Sequence, residues 1–360
     1  MLPFFTDAFG NAASRTHAAG REAERACEEA RAKVAALIGA DESEIVFTSG
    51  ATESDNLAIL GSRPEHIVTI ATEHPAVLES ARAAGCRLTV LPVDGHGLVD
   101  PDAMARAITS KGTLVSVMAA NNEVGTVQPI REVGRLCEER GAIFHTDAAQ
   151  AAGKIELDVR ADHVHLLSMS AHKMYGPKGV GALYVRKRGP RVKLSPLIRG
   201  GGHENGLRSG TLPVPQVVGF GRAAEIAAKE RPDESKRVLA LRERLRSGLF
   251  ERLDLITLNG HPERRLPGNL HVSFAYVEVE SLLQAMPEIC VSTSAACASA
   301  VLKPSHVLKA MGVSDELAYN SVRFGIGRFN TPAEIDITLD RVVAAAKHIR
   351  EQSPAWALRK

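Results

Sequence analysis

The chain reads as an α/β protein, with a large domain on a mostly parallel, seven-stranded type of sheet and a smaller α+β domain at its C-terminal end. Three observations predict this. Short β-branched runs alternate with helical patterns through the N-terminal part; the pattern turns to long helices from Pro213; and polar, glycine-containing segments recur just past strand ends. Open parallel sheets covered on both faces show this alternation, and they bind ligands at the carboxyl ends of their strands. We place the domain boundary after residue 230, giving a large domain over 1–230 and a smaller one over 231–360.

In chain order, Arg21 to Ile38 is an amphipathic helix with Ala23, Ala26, Cys27, Ala30, Val34 and Leu37 on one side and Gly39 to end it. Buried strands are expected at Ile45–Phe47, Ile67–Ile70, Leu88–Leu91, Leu114–Val117, Ala142–Phe144 and Val164–Leu167. Helices lie between some of them, at Asp100–Ile108 and Ile130–Arg140. Beyond Pro213 a helical pattern runs through Lys229 and resumes over Ser235–Leu253, and Arg231-Pro232-Asp233 is expected to break it. Strands at Leu270–Phe274 and Ser321–Phe324 and a helix near Pro332–Ile349 complete the smaller domain.

Composition narrows the function classes. The 360 residues are 44% hydrophobic and 24% charged, with a formal net charge of +2, the values of an ordinary globular chain. No basic block points to nucleic acid, no apolar run approaches membrane-spanning length, and Met1–Phe5 is not a signal peptide. Five cysteines without CxxC spacing suggest free thiols in a reducing, cytoplasmic compartment, with neither disulfides nor a metal site. Cys27, Cys86, Cys137 and Cys290 sit in apolar contexts and read as packing. Cys297 differs: Ser292–Ala300 is small and polar, so its thiol is expected to be exposed and reactive.

The chemistry gathers on strand-end loops. Lys173, in Ser170-Ala171-His172-Lys173, follows a strand, and a lysine amine there can form a Schiff base when its surroundings favour the neutral form. Thr48-Ser49-Gly50-Ala51-Thr52 opens a helix, where free N–H groups and the helix dipole suit a phosphate. His74 follows the next strand, where its imidazole can stack on a flat ring. Asp147 ends another strand, where a carboxylate can pair with a protonated ring nitrogen. Asn121-Asn122-Glu123 offers amide donors. Taken singly, each has a plain alternative: helix capping, a turn, an ordinary loop residue. Jointly they meet the needs of pyridoxal 5′-phosphate. Arg323, in an apolar run, calls for an anionic partner such as a substrate carboxylate, or else a structural salt bridge.

These segments resemble the cysteine desulfurases of the iron–sulfur assembly type, within the class V aminotransferase-like, fold-type I pyridoxal enzymes. The resemblance rests on Phe9–Asn11, Phe47–Asn56, Asn121–Gly125, Thr146–Gln150, Ser170–Lys173, Gly200–Glu204, Leu207–Thr211, Ala296–Ser299 and Val322–Phe324, spread in order over nearly the whole chain. It implies that Lys173 holds the cofactor and shuttles protons, Asp147 pairs with the pyridine nitrogen, Gln150 with the ring hydroxyl, and His74 stacks on the ring. It further implies phosphate binding by Ala51, Thr52, Ser170 and His172, with Thr211 reaching the phosphate of a partner subunit in a homodimer. Asn122 and Arg323 would hold the substrate carboxylate, and Cys297 would take sulfur from L-cysteine, leaving L-alanine and a persulfide for an acceptor protein of iron–sulfur assembly or thiolation. Such enzymes commonly open on a strand with a Leu-Asp-x-x-Ala-Thr-Thr-Pro motif, whereas this chain starts at Met1-Leu2-Pro3-Phe4-Phe5, and Ala171 stands where glycine is common. The alternatives are a related pyridoxal lyase or aminotransferase, selenocysteine lyase included, with Cys297 incidental, or a non-catalytic scaffold. A nicotinamide dehydrogenase is disfavoured, since no GxGxxG follows the first strand.

Overall fold

A computed structural model describes residues 1–293 and 304–359; Cys297 lies outside the described residues. The chain divides into two compact units. The first comprises Met1–Leu91, Val99–Ala120 and Gln128–Arg231, and the second Pro92–Leu98, Asn121–Val127 and Pro232–Lys360.

The first unit is built on a seven-stranded sheet of β1 (Ile45–Thr48), β2 (His66–Ile70), β3 (Arg87–Leu91), β4 (Thr113–Ser116), β5 (Ile143–Asp147), β6 (Leu166–Ser170) and β7 (Gly181–Val185), in the order β1-β7-β6-β5-β4-β2-β3. Neighbours from β6 to β3 are parallel; β7 runs antiparallel to both β6 and β1. β1 therefore points the same way as the parallel strands, and Thr48, Ile70, Ser116, Asp147 and Ser170 all finish at one edge. Most of these strands are buried throughout, as strands covered on two faces should be. β3 departs from the expectation of burial because it is the sheet edge, with Arg87 and Val90 exposed. β6 begins two residues later than expected and runs on through Ser168 and Ser170. Their hydroxyls meet His145 Nε2 at 3.0 Å and His172 Nδ1 at 2.8 Å, so two polar side chains can sit in a buried strand. The amphipathic helix is Ala18–Leu37, starting three residues early because His17 Nδ1 accepts from Gly20 N and caps it.

In the second unit, β8 (Ile256–Leu258), β9 (Asn269–Phe274), β10 (Ser292–Thr293) and β11 (Ser321–Gly325) form an antiparallel sheet in the order β10-β11-β9-β8. Leu270, Val272, Phe274, Val322 and Phe324 pack with Leu241, Leu245 and Leu249 and with Val342 and Val343 of the helix Pro332–Gln352. The expected break at Pro232 does not occur: one helix spans Val214–Arg252 with Pro232 inside it. Proline removes one N–H and leaves the carbonyl four residues back without its helical partner. Pro232 and Ala228 are both exposed, so water can satisfy that carbonyl and the helix continues. Cys290 is another correction. It is exposed, because Ile289 and Val291 on either side turn into the core and leave the residue between them outward.

Candidate active site

The carboxyl edge of the first unit's sheet gathers the residues expected there. Asp147 is the last residue of β5, 5% exposed, and its Oδ1 accepts from Ala149 N at 2.8 Å. Burial raises its pKa, while the Ala149 N–H and the charges of His74 and Lys173 pull it down. Asp147 therefore feels both side chains electrostatically. His74 caps the helix Pro75–Ala83 through Nδ1, which accepts from Ala76 N at 3.1 Å. That bond fixes the ring and assigns a neutral imidazole's proton to Nε2. Lys173 lies in the short turn Ala171–Met174 past β6 and is exposed in this chain.

A second cluster forms at the start of the helix Ala51–Ser62. Gly50 supplies no side-chain cap, so the first-turn N–H groups around Ala51 and Thr52 remain available to an anion. The Ser170 hydroxyl, bonded to His172, lies beside it. Gly181 permits this approach: a Cβ there would sit 2.6 Å from Gly50 Cα and 2.4 Å from Met169 O. Gln150 Oε1 accepts from Lys154 Nζ at 3.1 Å, so its amide faces along the turn after Asp147. Thr211 is exposed, at the end of a glycine-rich segment in which Ser209 Oγ accepts from Gly202 N and His203 Nδ1 from Gly210 N.

Two ion pairs that sequence reasoning missed hold these parts. Arg208 Nε meets Glu53 Oε1 at 2.9 Å, and Ser49 N donates to Glu53 Oε2 at 2.8 Å, which joins the segment before Thr211 to the start of the helix Ala51–Ser62. Arg31 meets Glu204 through two bonds of 2.7 and 2.8 Å, with Glu204 also accepting from Phe47 N at 2.7 Å and Arg31 donating to Ile45 O at 2.8 Å. The pair thus satisfies the open edge of β1. An arginine on the apolar face of an amphipathic helix was the available signal. Beneath Asp147 lies a buried layer of Asp55, Glu73 and His145. Burial, then the Asp147 charge, pushes both carboxyls well up, and burial pushes His145 down to about 3. Asp55 Oδ1 is 3.5 Å from His145 Nε2, and Met118 N donates to Glu73 Oε1 at 2.6 Å.

In the second unit Asn121 Oδ1 accepts from Glu123 N and Val124 N, both at 2.9 Å, which shapes the turn carrying Asn122. Arg323 sits centrally on β11 and donates to Asn122 O and, at 3.2 Å, to Ser292 Oγ. It meets no carboxylate among the described residues, so the salt bridge weighed from the sequence is not what occupies it. An arginine held by two neutral acceptors is a ready receptor for a carboxylate.

The donor set of the first unit fits pyridoxal 5′-phosphate. A buried carboxylate answers a ring nitrogen, an uncapped helix start with Ser170 and His172 answers a phosphate, and an accessible lysine answers the aldehyde. Among curated proteins, the chain is 54% identical over 369 aligned residues to a protein named cysteine desulfurase IscS of Anaeromyxobacter sp. (strain Fw109-5), covering 100% of this chain and 91% of that one. A protein of the same name from Rickettsia felis is 50% identical over 99% of this chain and 89% of its own. A solved structure described as a NifS-like protein superposes with a TM-score of 0.88 at 38% identity, covering 96% and 94% of the two chains. Residues 1–338 match the class-V aminotransferase family, and the chain belongs to that family.

Proposed function

We propose that the protein is a pyridoxal 5′-phosphate-dependent cysteine desulfurase that converts L-cysteine to L-alanine and leaves the sulfur as a persulfide on Cys297. One observation carries it: Lys173 and His74 bear on a buried Asp147 at the carboxyl edge of the sheet, in a chain about half identical over its full length to proteins named cysteine desulfurase. The bound cofactor supplies an electron sink for charge developing on the substrate. Lys173 holds its aldehyde and moves protons at its own Nζ. Asp147, buried and accepting from Ala149 N–H, would pair with the pyridine nitrogen and keep it protonated, and His74 would stack on the ring. Gln150 meets the ring hydroxyl. The Ala51–Thr52 helix start, Ser170 and His172 hold the phosphate, with Thr211 serving the partner subunit of a homodimer. Asn122 and Arg323 orient the substrate carboxylate.

Chemically the exchange balances without an outside oxidant: cysteine plus a Cys297 thiol gives alanine plus a Cys297 persulfide. The Cys297 thiolate takes the substrate's sulfur and the substrate's β-carbon gains a proton. A sulfur-acceptor protein then receives the sulfane sulfur in the cytoplasm. Purified protein, cofactor and L-cysteine with a thiol reductant should yield alanine and sulfide in equal amounts. Cys297→Ser should abolish both. Alanine, or a keto acid, formed undiminished in Cys297→Ser would point to a different pyridoxal reaction.

A further inference from the structure

The turn Asn121–Val127 is fastened at more points than a substrate loop needs for its own shape. Asn269 Nδ2 donates to Glu123 O at 2.9 Å, and Leu266 N to Gly125 O at 2.9 Å. Gly125 has φ +77°, and a Cβ there would lie 2.5 Å from the Asn269 side chain, so this loop and β9 are drawn together as only glycine allows. Val124, fully buried, packs with Val307 and Leu308. The Glu123 side chain reaches Ser305, whose hydroxyl donates to Glu123 Oε2 at 2.6 Å while accepting from Val307 N and Leu308 N as the cap of the helix His306–Ala310. On the other side, Ser292 Oγ is held by Arg323, with which it also pairs in register between β10 and β11.

Ser292 and Ser305 stand five residues before and eight residues after Cys297 in the sequence. The groups assigned to the substrate carboxylate are therefore bonded to both flanks of the cysteine's stretch of chain: Arg323 to one, and the residue next to Asn122 to the other. We propose that Glu123 is a positioning residue, whose bond to Ser305 fixes the chain after Cys297 to the Asn122 turn and so sets both carboxylate binding and sulfur transfer to the thiol. This deepens the desulfurase reading and rests on it. Fixing both flanks of a segment raises the effective concentration of a group within it, without any new contact to that group.

Two replacements of Ser305 separate the tether from the cap. Asparagine and aspartate are both good N-caps, but Ser305→Asn keeps a donor for Glu123 whereas Ser305→Asp sets a carboxylate against it. With cofactor loading checked by absorbance and folding by melting temperature, Ser305→Asp should slow single-turnover alanine formation by about tenfold and raise KM for L-cysteine, since charged hydrogen bonds carry effects of that order. Ser305→Asn should stay near the parent, and adding Glu123→Gln to Ser305→Asp should recover most of the loss. Calorimetric binding of L-alanine, which has the carboxylate and no sulfur, should weaken several-fold in Ser305→Asp alone. Equal behaviour of Ser305→Asn and Ser305→Asp in rate, KM and alanine binding overturns the tether, and so does equal loss confined to the melting temperature. A parent enzyme that binds alanine yet makes none from cysteine overturns the desulfurase reading instead, and alanine binding in the two variants still decides the tether.

Discussion

Arg31→Met is the perturbation whose size follows most directly from the structure. The Glu204 side chain is 2% exposed and the Arg31 side chain 9%, and they meet through two short bonds. Desolvation opposes the Arg31 charge, yet Glu204, with a smaller part from Glu28, more than offsets it and raises the guanidinium pKa. Removing the arginine leaves a buried carboxylate whose remaining support is Phe47 N. Breaking a buried pair from one side costs about 3–5 kcal/mol, which for a unit of this size lowers the melting temperature by roughly 10 °C. Adding Glu204→Gln removes the stranded charge and keeps an amide oxygen for Phe47 N. The double variant should therefore return to within about 1–2 kcal/mol of the parent. Urea unfolding followed by circular dichroism, at one fixed cofactor occupancy, measures all three proteins. A single variant that loses under about 1 kcal/mol, or a double no more stable than the single, would refute the assignment of this pair as the clamp on the edge of β1.

Other outcomes follow from the same geometry. Lys173→Ala should abolish the absorbance band of covalently held cofactor while leaving the far-ultraviolet spectrum unchanged. Asp147→Asn should weaken cofactor binding by about tenfold or more, the worth of one charged hydrogen bond, as read by equilibrium dialysis. Arg323→Lys should raise KM for L-cysteine by about tenfold, because an ammonium cannot make the two-pronged contact; an unchanged KM would remove Arg323 from the carboxylate site. His271 is wholly buried and burial depresses its pKa to about 3, so it is neutral when folded and titrates near 6.5 when unfolded. Its contribution is fully present above pH 6.5 and is lost as pH falls toward 3, by up to about 1.4 kcal/mol per pH unit. The stability gap between parent and His271→Gln should shrink over that range, and a constant gap would contradict this reading.

The sheet was legible because β1 to β6 are short apolar runs, some of them separated by helical patterns, and their polar ends gave Asp147, Ser170 and the Gly50–Thr52 turn away. β7 was not read, since Gly181–Val185 follows a glycine-rich loop directly, without the helix that marks a parallel crossover. Pro232 misled for a physical reason: a proline breaks a helix when the lost bond is buried, and here it faces water. Cys290 misled because apolar neighbours were taken as its environment, although alternation turns it away from them. The long-range pairs Arg31–Glu204, Arg208–Glu53 and Ser305–Glu123 were beyond reach. Each joins residues more than a hundred positions apart, and only the folded chain brings them together.

The reaction assigned to this chain can be read from the fate of one sulfur atom. L-Cysteine labelled with heavy sulfur is mixed with cofactor-loaded protein for a single turnover, free thiols are alkylated, and the digest is analysed by mass spectrometry. The label should appear as an added sulfur on the peptide carrying Cys297, with one alanine released per modified site and no label on Cys27, Cys86, Cys137 or Cys290. Alanine released with the label on another cysteine, or only in free sulfide while Cys297 remains an unmodified thiol, would contradict the account.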